Sequence, residues 1–338
     1  MLTGQRNLQE LVISLNHILA KRQKAWPSRR QIRSYLQQQV GSIDKVVPLT
    51  KKEVALLAGG KPLVGVDGSV TSYGSGFPHS IYCFRALAAS TSAPVSEGIF
   101  MADLFYPGSP EHQEEVEQLL QETRAMGQEI SPAAAVSQLV REHLAALEVR
   151  AGLAAVEKYN PFLVLFDGGF LRYGELAKQQ WEEYRQVSLE RGVISVGVIE
   201  EIGTFDLARE LLAGIGFTAK YTCDREILFG VLEPGEWLAM RPELIYKRGY
   251  YTCFARPGNH PQAIAYDFFA QQQGLAADII PLFFSLTPQG GRGIPWWLDQ
   301  VDAAVRITNK EVELLFDTCL DRSVRERLFV PHRERRGL

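Results

Sequence analysis

Apolar residues change their spacing near residue 61, and this change separates two parts of the chain. Before it, six apolar residues recur at helical intervals, with Pro27 as a break: Leu8, Leu11, Val12, Leu15, Ile18 and Leu19. We therefore predict an N-terminal helical arm over residues 1–60. After it, three strand-like runs, 63–69, 80–90 and 97–106, follow one another with short polar links. Three such runs in succession predict an antiparallel meander.

The pattern beyond the meander alternates between helix and strand. Helices are predicted within 111–157, with a break at Ser131 and Pro132, where the serine is a good cap and the proline a good first helical residue. Further strands and helices are then expected in turn: strand 162–169, helix 174–191, strand 193–199, helix 204–212, short strands with a helix at 260–273 inside 227–284, and a helix from Pro295. Residues 61–316 are thus predicted to form one α/β domain, followed by a basic C-terminal tail at 317–338.

This order of elements is that of the ribonuclease-H-like fold. The fold has a mixed sheet, in which a three-strand antiparallel meander is joined by parallel strands and flanked by helices. Apolar strands that alternate with helices imply parallel crossovers. The first strand of the meander is then expected at the centre of the sheet, with strand 162–169 parallel beside it.

Composition narrows the class of protein. With 46% hydrophobic and 22% charged residues, the chain resembles a globular protein and can bury a large core. The four cysteines, Cys83, Cys223, Cys253 and Cys319, lie too far apart for a zinc knuckle and form no obvious disulfide framework. No apolar run approaches the roughly 18 residues of a membrane span. We expect a cytoplasmic protein.

The overall charge does not point to a nucleic-acid partner. Basic residues number 36 and acidic residues 39, which gives a net charge of −3 and no general positive field. Any contact with phosphates must therefore be local. Arginines concentrate at 29–33, near Trp26 and Tyr35, and at 322–336. Such segments suit a phosphate backbone, although a solvated helix face has the same composition.

Two aspartates carry the strongest chemical signal in the sequence. Asp67 and Asp167 each end an apolar strand, and each is followed by glycine. If the two strands are parallel neighbours, these carboxylates meet although they are 100 positions apart. Two adjacent carboxylates repel each other unless a proton or a cation lies between them. Hard oxygen ligands suit Mg²⁺ or Mn²⁺, so the pair predicts a divalent-metal site, although Asp-Gly is also a common turn.

Two further carboxylates are candidates for completing this site. Glu148 lies beside the buried face of its helix, with Ala145 and Gly152 as small neighbours that let the helix approach the sheet. Glu142 and Glu157 compete with it. On the helix that begins at Pro295, Asp302 borders the apolar stripe, whereas Asp299 points further out. A surface carboxylate paired with a nearby arginine is the alternative for both Glu148 and Asp302.

Three short motifs resemble those of the NurA nucleases. The segment VGVDGS at 64–69 resembles the first motif of the family, and LVLFDGGF at 163–170 its central Asp-Gly motif. GIPWWLDQVDAAVRI at 293–307 resembles its C-terminal motif. Each motif is short, but their order and separation together cover roughly residues 61–316. In two places the chain departs from the family: Gly169 replaces an expected serine, and Glu200 and Glu201 stand where a lysine is expected.

The resemblance implies a ribonuclease-H-like, manganese-dependent DNA nuclease with exonuclease and single-strand endonuclease activity. It also implies a homodimer that works with a HerA-type hexameric ATPase in DNA end processing and repair. Asp67 and Asp167 match the metal-binding aspartates, Glu148 is the best match for the helix glutamate, and Asp302 stands where the family has an acidic or histidine ligand.

Our interpretation is a two-metal phosphodiesterase that uses Mn²⁺ or Mg²⁺ and acts on single-stranded DNA or duplex ends. Its catalytic and metal-binding residues are predicted to be Asp67, Glu148, Asp167 and Asp302. One alternative is an actin-like or sugar-kinase-like phosphotransferase, in which the fold is duplicated. The other is a non-catalytic subunit that keeps the fold and binds a motor ATPase.

Overall fold

The strands form one mixed sheet. In the computed structural model, which describes residues 7–24, 26–216, 221–244 and 249–329, there are nine strands. They are β1 (Gly41–Lys45), β2 (Leu63–Gly74), β3 (Ser80–Ser90), β4 (Ile99–Phe105), β5 (Leu163–Asp167), β6 (Ile194–Ile199), β7 (Glu236–Met240), β8 (Tyr250–Arg256) and β9 (Ile264–Phe269). Their order in the sheet is β1-β7-β8-β9-β6-β5-β2-β3-β4. In this part of the chain β5 pairs in parallel with both β2 and β6, and the other pairings are antiparallel.

The helices of the described residues cover both faces of this sheet. They are α1 (Leu8–Lys24), α2 (Arg29–Tyr35), α3 (Lys51–Ala58), α4 (Pro110–Ala125), α5 (Pro132–Tyr159), α6 (Phe170–Leu176), α7 (Lys178–Glu190), α8 (Asp206–Gly214), α9 (Asp224–Leu228), α10 (Ala276–Leu286), α11 (Trp296–Val305), α12 (Asn309–Cys319) and α13 (Arg322–Leu328). Within the ranges that the structure describes, none combines the length and apolarity that crossing a membrane would require.

The ribonuclease-H-like arrangement predicted from the sequence is confirmed. Strands β2, β3 and β4 form the antiparallel meander, and β5 and β6 extend it in parallel on the other side of β2. Ser109 and Ser131 cap α4 and α5, and in each case proline follows as the first helical residue. The first strand of the meander therefore lies inside the sheet, where both of its edges are paired.

Alternate side chains of the central strands enter two different cores. Val64 and Val66 of β2 and Val164 and Phe166 of β5 pack with α4, α5 and α7. Leu163 and Leu165 of β5 face the opposite way and pack with α10 and with Leu298 of α11. This alternation follows from the two-residue period of a strand. Helices α5 and α11 consequently lie on opposite faces of the same strands.

The structure corrects the sequence-based prediction in three places. Residues 260–273 are not a helix, because 264–269 form β9, a strand whose six side chains are all buried. A strand covered on both faces shows no alternation, which explains the wrong prediction. The predicted arm contains helices α1 to α3 but also the edge strand β1, whose mostly exposed, polar side chains gave no strand pattern. Helix 174–191 begins earlier, as α6, and is divided from α7 at Ala177.

The arginines near residue 30 make contacts within the protein. Arg33 donates to Glu236 at 2.7 Å, Arg29 pairs with Glu233, and Arg22 donates to Glu226 at 2.7 Å. These contacts tie the N-terminal helices to β7, α9 and the loop before β7. Arg29 and Arg33 thus have carboxylate partners within the protein, and the contact of this cluster with DNA stays a prediction. In the C-terminal basic segment, Arg333, Arg335 and Arg336 lie outside the described residues.

Candidate active site

The pairing of β2 with β5 brings the two aspartates together. Leu63 to Val66 lie opposite Leu163 to Phe166 in parallel register, so the next residue on each strand is an aspartate. Asp67 is only 8% exposed, and Asp167 is half-buried. The backbone then turns away at Gly168, whose φ of +116° favours glycine. The sequence spacing of 100 residues is thus realised as neighbouring carboxylates at the end of β5.

Glu148 reaches the same place from α5. Its side chain is 1% exposed and lies against Gly68, where an added Cβ would come within 2.5 Å of Glu148 Oε1. Gly152, one turn further along α5, lies against Phe166 of β5, and a Cβ there would be 2.7 Å from the ring. Small residues on both elements therefore let the helix approach. Of the competing glutamates, Glu157 is exposed, and Glu142 lies with His143 in another cavity, so neither joins the aspartates.

Helix α11 approaches from the opposite face and is held at several points. Trp297 Nε1 donates to the carbonyl of Ala89 at 3.0 Å, and Val301 packs over Gly65 of β2. Just after the helix, the Ile307 N–H donates to Ser69 Oγ at 3.1 Å. The serine that follows the first Asp-Gly thus fixes the end of α11. These contacts place Asp302 near Asp67 and Asp167, whose pKa values it raises through its charge.

Arg292 connects several carboxylates at the rim of the site. It lies in the glycine-rich loop before α11 and contacts Asp302 at 3.4 Å, Asp299 at 3.0 Å and Glu200 at 3.2 Å. Arg306 also contacts Asp302, at 3.4 Å. The positive charge of Arg292 lowers the pKa of Asp167, whereas Asp302 and Glu200 raise it. The loop therefore brings a cation to a site otherwise crowded with negative charge.

Residues of α6 make hydrogen bonds that hold Glu148 and the main chain of Asp167 in place. The hydroxyl of Tyr173 donates to the main-chain carbonyl of Asp167 at 3.1 Å, and Arg172 Nη2 donates to Glu148 Oε1 at 2.9 Å. The buried carboxylate of Asp267 accepts from the Phe170 N–H at 3.1 Å. Rings of Phe166, Phe170, Tyr173 and Trp181 pack together beneath this turn. Two consecutive side chains of α6 therefore hold both the Asp167 backbone and Glu148.

Burial and mutual repulsion raise the pKa values of the inner carboxyl groups. Burial acts most strongly on Asp67, the charges of Asp167 and Glu148 add to it, and its pKa rises to about 8 although the Gly68 N–H donates to it. Burial and the charge of Glu148 raise the pKa of Asp167 to about 6. Burial also raises the pKa of Glu148, against the opposing effect of Arg172. Without a further cation, each of these carboxyl groups therefore binds its proton more tightly than an ordinary carboxyl group does.

We expect the metal-free protein to lose stability as the pH rises from 5 to 8.5. Asp67 and Asp167 bind a proton more tightly in the folded protein than in the unfolded chain, so folding is favoured at low pH. The advantage declines above the ordinary carboxyl pKa and is gone once the pH passes the raised values. Thermal unfolding in the presence of a chelator, repeated from pH 5 to 8.5, measures the slope of stability against pH. A double Asp67→Asn and Asp167→Asn variant should show a flatter one, and an equal slope in both proteins would contradict the assigned cause.

The donor atoms suit a divalent cation. All four carboxylates offer hard oxygen ligands, and Glu148 Oε2 is a buried oxygen without a hydrogen-bond partner. Over the residues that the structure describes, no three His, Cys, Asp or Glu side chains are gathered closely enough to hold a metal ion. Glu148 and Asp302 are bound to arginines instead. By the type of their donor atoms the four carboxylates fit Mg²⁺ or Mn²⁺, while Glu148 and Asp302 pair with arginines in this structure.

Comparison with known proteins decides the family. The model of the NurA domain matches residues 61–307. The chain belongs to the NurA family. A crystal structure of NurA has a TM-score of 0.53 at 11% identity, over 94% of this chain and 99% of that one. A second, of NurA bound to dAMP and manganese, has a TM-score of 0.52 at 13% identity, over 96% and 99%. No curated protein matches the sequence.

The structure shows which residues surround the two positions where the chain departs from the NurA motifs. At Gly169 a Cβ would come within 2.9 Å of Ile199 Cδ1 and 3.1 Å of Asp267 Oδ2, so this chain has little room for the expected serine. Glu200, in place of the expected lysine, pairs with Arg292. The chain thus carries a positive charge near Asp167 from a different segment. The sequence patterns do not single out either Arg172 or Arg292 as a site residue.

Proposed function

We propose that this NurA family member is a metal-dependent DNA nuclease whose ligands are Asp67, Glu148, Asp167 and Asp302. The observation that carries the proposal is the register of β2 and β5, which brings the buried Asp67 and the half-buried Asp167 side by side with raised pKa values. A divalent cation relieves that repulsion. The related structure of NurA with dAMP and manganese supports both the metal and a nucleotide substrate.

The division of roles follows from position. Asp67 and Asp167, at the centre, would be the main ligands of the divalent cations, and Glu148 on one face and Asp302 on the other would add further ligands. Two ions held in this way would lower the pKa of an attacking water and stabilise the leaving 3′ oxygen. The protein holds the ligands by burying Glu148 against Gly68 and by docking α11 on β2. Arg292 supplies a positive charge at the open rim.

The proposal extends to the partners of the protein. We infer a homodimer that processes DNA ends with a HerA-type hexameric ATPase in DNA repair, in the cytoplasm. Membership of the NurA family supports this. Among the described residues there is one sheet with a single meander, which disfavours the duplicated fold of an actin-like phosphotransferase. A non-catalytic subunit with the same fold is the rival that needs an experiment.

Cleavage of circular single-stranded DNA tests the central proposal, because a circle has no ends and reports endonuclease activity alone. We expect the purified full chain to cut the circle and to degrade end-labelled linear DNA in Mn²⁺, and to do neither in excess chelator. The double Asp67→Asn and Asp167→Asn variant is the control for a contaminating nuclease. A wild-type protein that binds Mn²⁺ but leaves both substrates intact would favour the alternative hypothesis, that the chain is a non-catalytic subunit with the same fold.

A further inference from the structure

Glu148 has one oxygen engaged and one oxygen free. Oε1 accepts from Arg172 Nη2 at 2.9 Å and lies over Gly68, whereas Oε2 is buried and has no partner among the described residues. Leaving a buried carboxylate oxygen unpaired costs free energy unless something else occupies that position. The contact with Arg172 therefore accounts for the position of Oε1, whereas no hydrogen bond from the described residues accounts for that of Oε2.

Arg172 donates the hydrogen bond that Oε1 accepts. Its guanidinium lies over the ring of Tyr173, 5.1 Å from the centroid, and its side chain is 33% exposed while that of Glu148 is 1% exposed. Tyr173 is itself fixed by its hydrogen bond to the Asp167 carbonyl and by the aromatic cluster under α6. The arginine thus stands on a rigid turn that also holds one of the aspartates.

We propose that Arg172 is a positioning residue, which binds Glu148 Oε1 so that Oε2 is the oxygen offered to the divalent cation. The proposal rests on the metal site of the proposed function. It adds that Glu148 Oε2 is the ligand atom and that Arg172 holds the carboxylate in place. Groups that orient a metal ligand are commonly worth 10-fold to 100-fold in metal affinity. Arg172 would not touch the cation or the substrate, and it would act through Glu148.

Binding of Mn²⁺, measured by electron paramagnetic resonance of the free ion, tests this without DNA. We expect Arg172→Met to weaken Mn²⁺ binding by roughly 10-fold to 100-fold and Arg172→Lys to recover part of the loss. Arg185→Met is the matched control, since it removes an arginine–glutamate pair of 2.7 Å on α7 and should leave the affinity unchanged. Tighter binding in Arg172→Met would overturn the proposal, because it would make the arginine a competitor of the cation.

A double-mutant cycle separates positioning from a general loss of structure. Glu148→Gln should weaken Mn²⁺ binding, and adding Arg172→Met to it should cause no further loss, because the arginine acts only through the glutamate. The double variant also avoids leaving a buried carboxylate unpaired, so its folding can be checked by circular dichroism. Additive losses would contradict the proposal. If the wild type itself binds no Mn²⁺, the proposed function fails; if it binds but Arg172→Met is unaffected, only this inference fails.

Discussion

Replacing Asp67 by asparagine is expected to abolish DNA cleavage and to stabilise the metal-free fold. The amide keeps the shape and the oxygen that accepts from the Gly68 N–H, but it loses the charge that a cation needs. Loss of a main ligand should lower the rate by roughly a thousandfold or more, the equivalent of about 4 kcal/mol in the transition state.

The same substitution removes a buried negative charge whose pKa lies at about 8. The free energy of unfolding in chelator at pH 8.5 should therefore rise by on the order of 2 kcal/mol. Asp278→Asn, an exposed position on α10, is the control and should alter neither quantity. Single-turnover cleavage and thermal unfolding measure the two effects. An Asp67→Asn protein that still cuts DNA at the wild-type rate would refute the metal site.

Asp302 and Asp299 should differ sharply although they lie on the same helix. The charge of Asp302 acts on both Asp67 and Asp167, whereas Asp299 makes its ion pair with Arg292 at the rim. We expect Asp302→Asn to lower cleavage by roughly 100-fold and to raise the Mn²⁺ concentration needed for half-maximal rate. Asp299→Asn should change either quantity by less than about threefold, since it loses only a surface ion pair.

Cleavage measured across a Mn²⁺ titration distinguishes the two aspartates, with circular dichroism to confirm that both variants fold. Equal losses in the two variants would mean that α11 contributes through Arg292 rather than through a ligand. No loss in either would limit the site to Asp67, Glu148 and Asp167.

The central geometry of the site was predictable because it depends on local patterns. Two apolar runs that each end in Asp-Gly, in a recognisable order of elements, are enough to predict parallel neighbours, and β2 and β5 pair in that way. Small residues around Glu148 likewise indicated which glutamate the helix brings to the sheet. These signals are written in short stretches of sequence, where spacing alone determines which face a side chain occupies.

The supporting contacts were not predictable, since each joins segments far apart in sequence. Nothing in the sequence around Ser69 points to Ile307, yet the Ser69 hydroxyl accepts from the Ile307 N–H just after α11. Arg172 and Arg292 resemble ordinary surface arginines until the fold brings Glu148 and Glu200 to them. Strand β9 was misread because burial on both faces removes the alternation that identifies a strand. Sequence periodicity predicts a helix or strand, but it does not predict which distant residues that helix or strand contacts.

The helix that contributes Asp302 follows β2 by more than 200 residues in the chain, yet it packs on that strand. During synthesis, β2 and β5 emerge long before α11. A growing polypeptide therefore leaves the Gly65 face of β2 uncovered until α11 has left the ribosome, and it cannot assemble all four carboxylates before then. Chemistry that needs all four carboxylates therefore cannot begin before α11 has docked on β2.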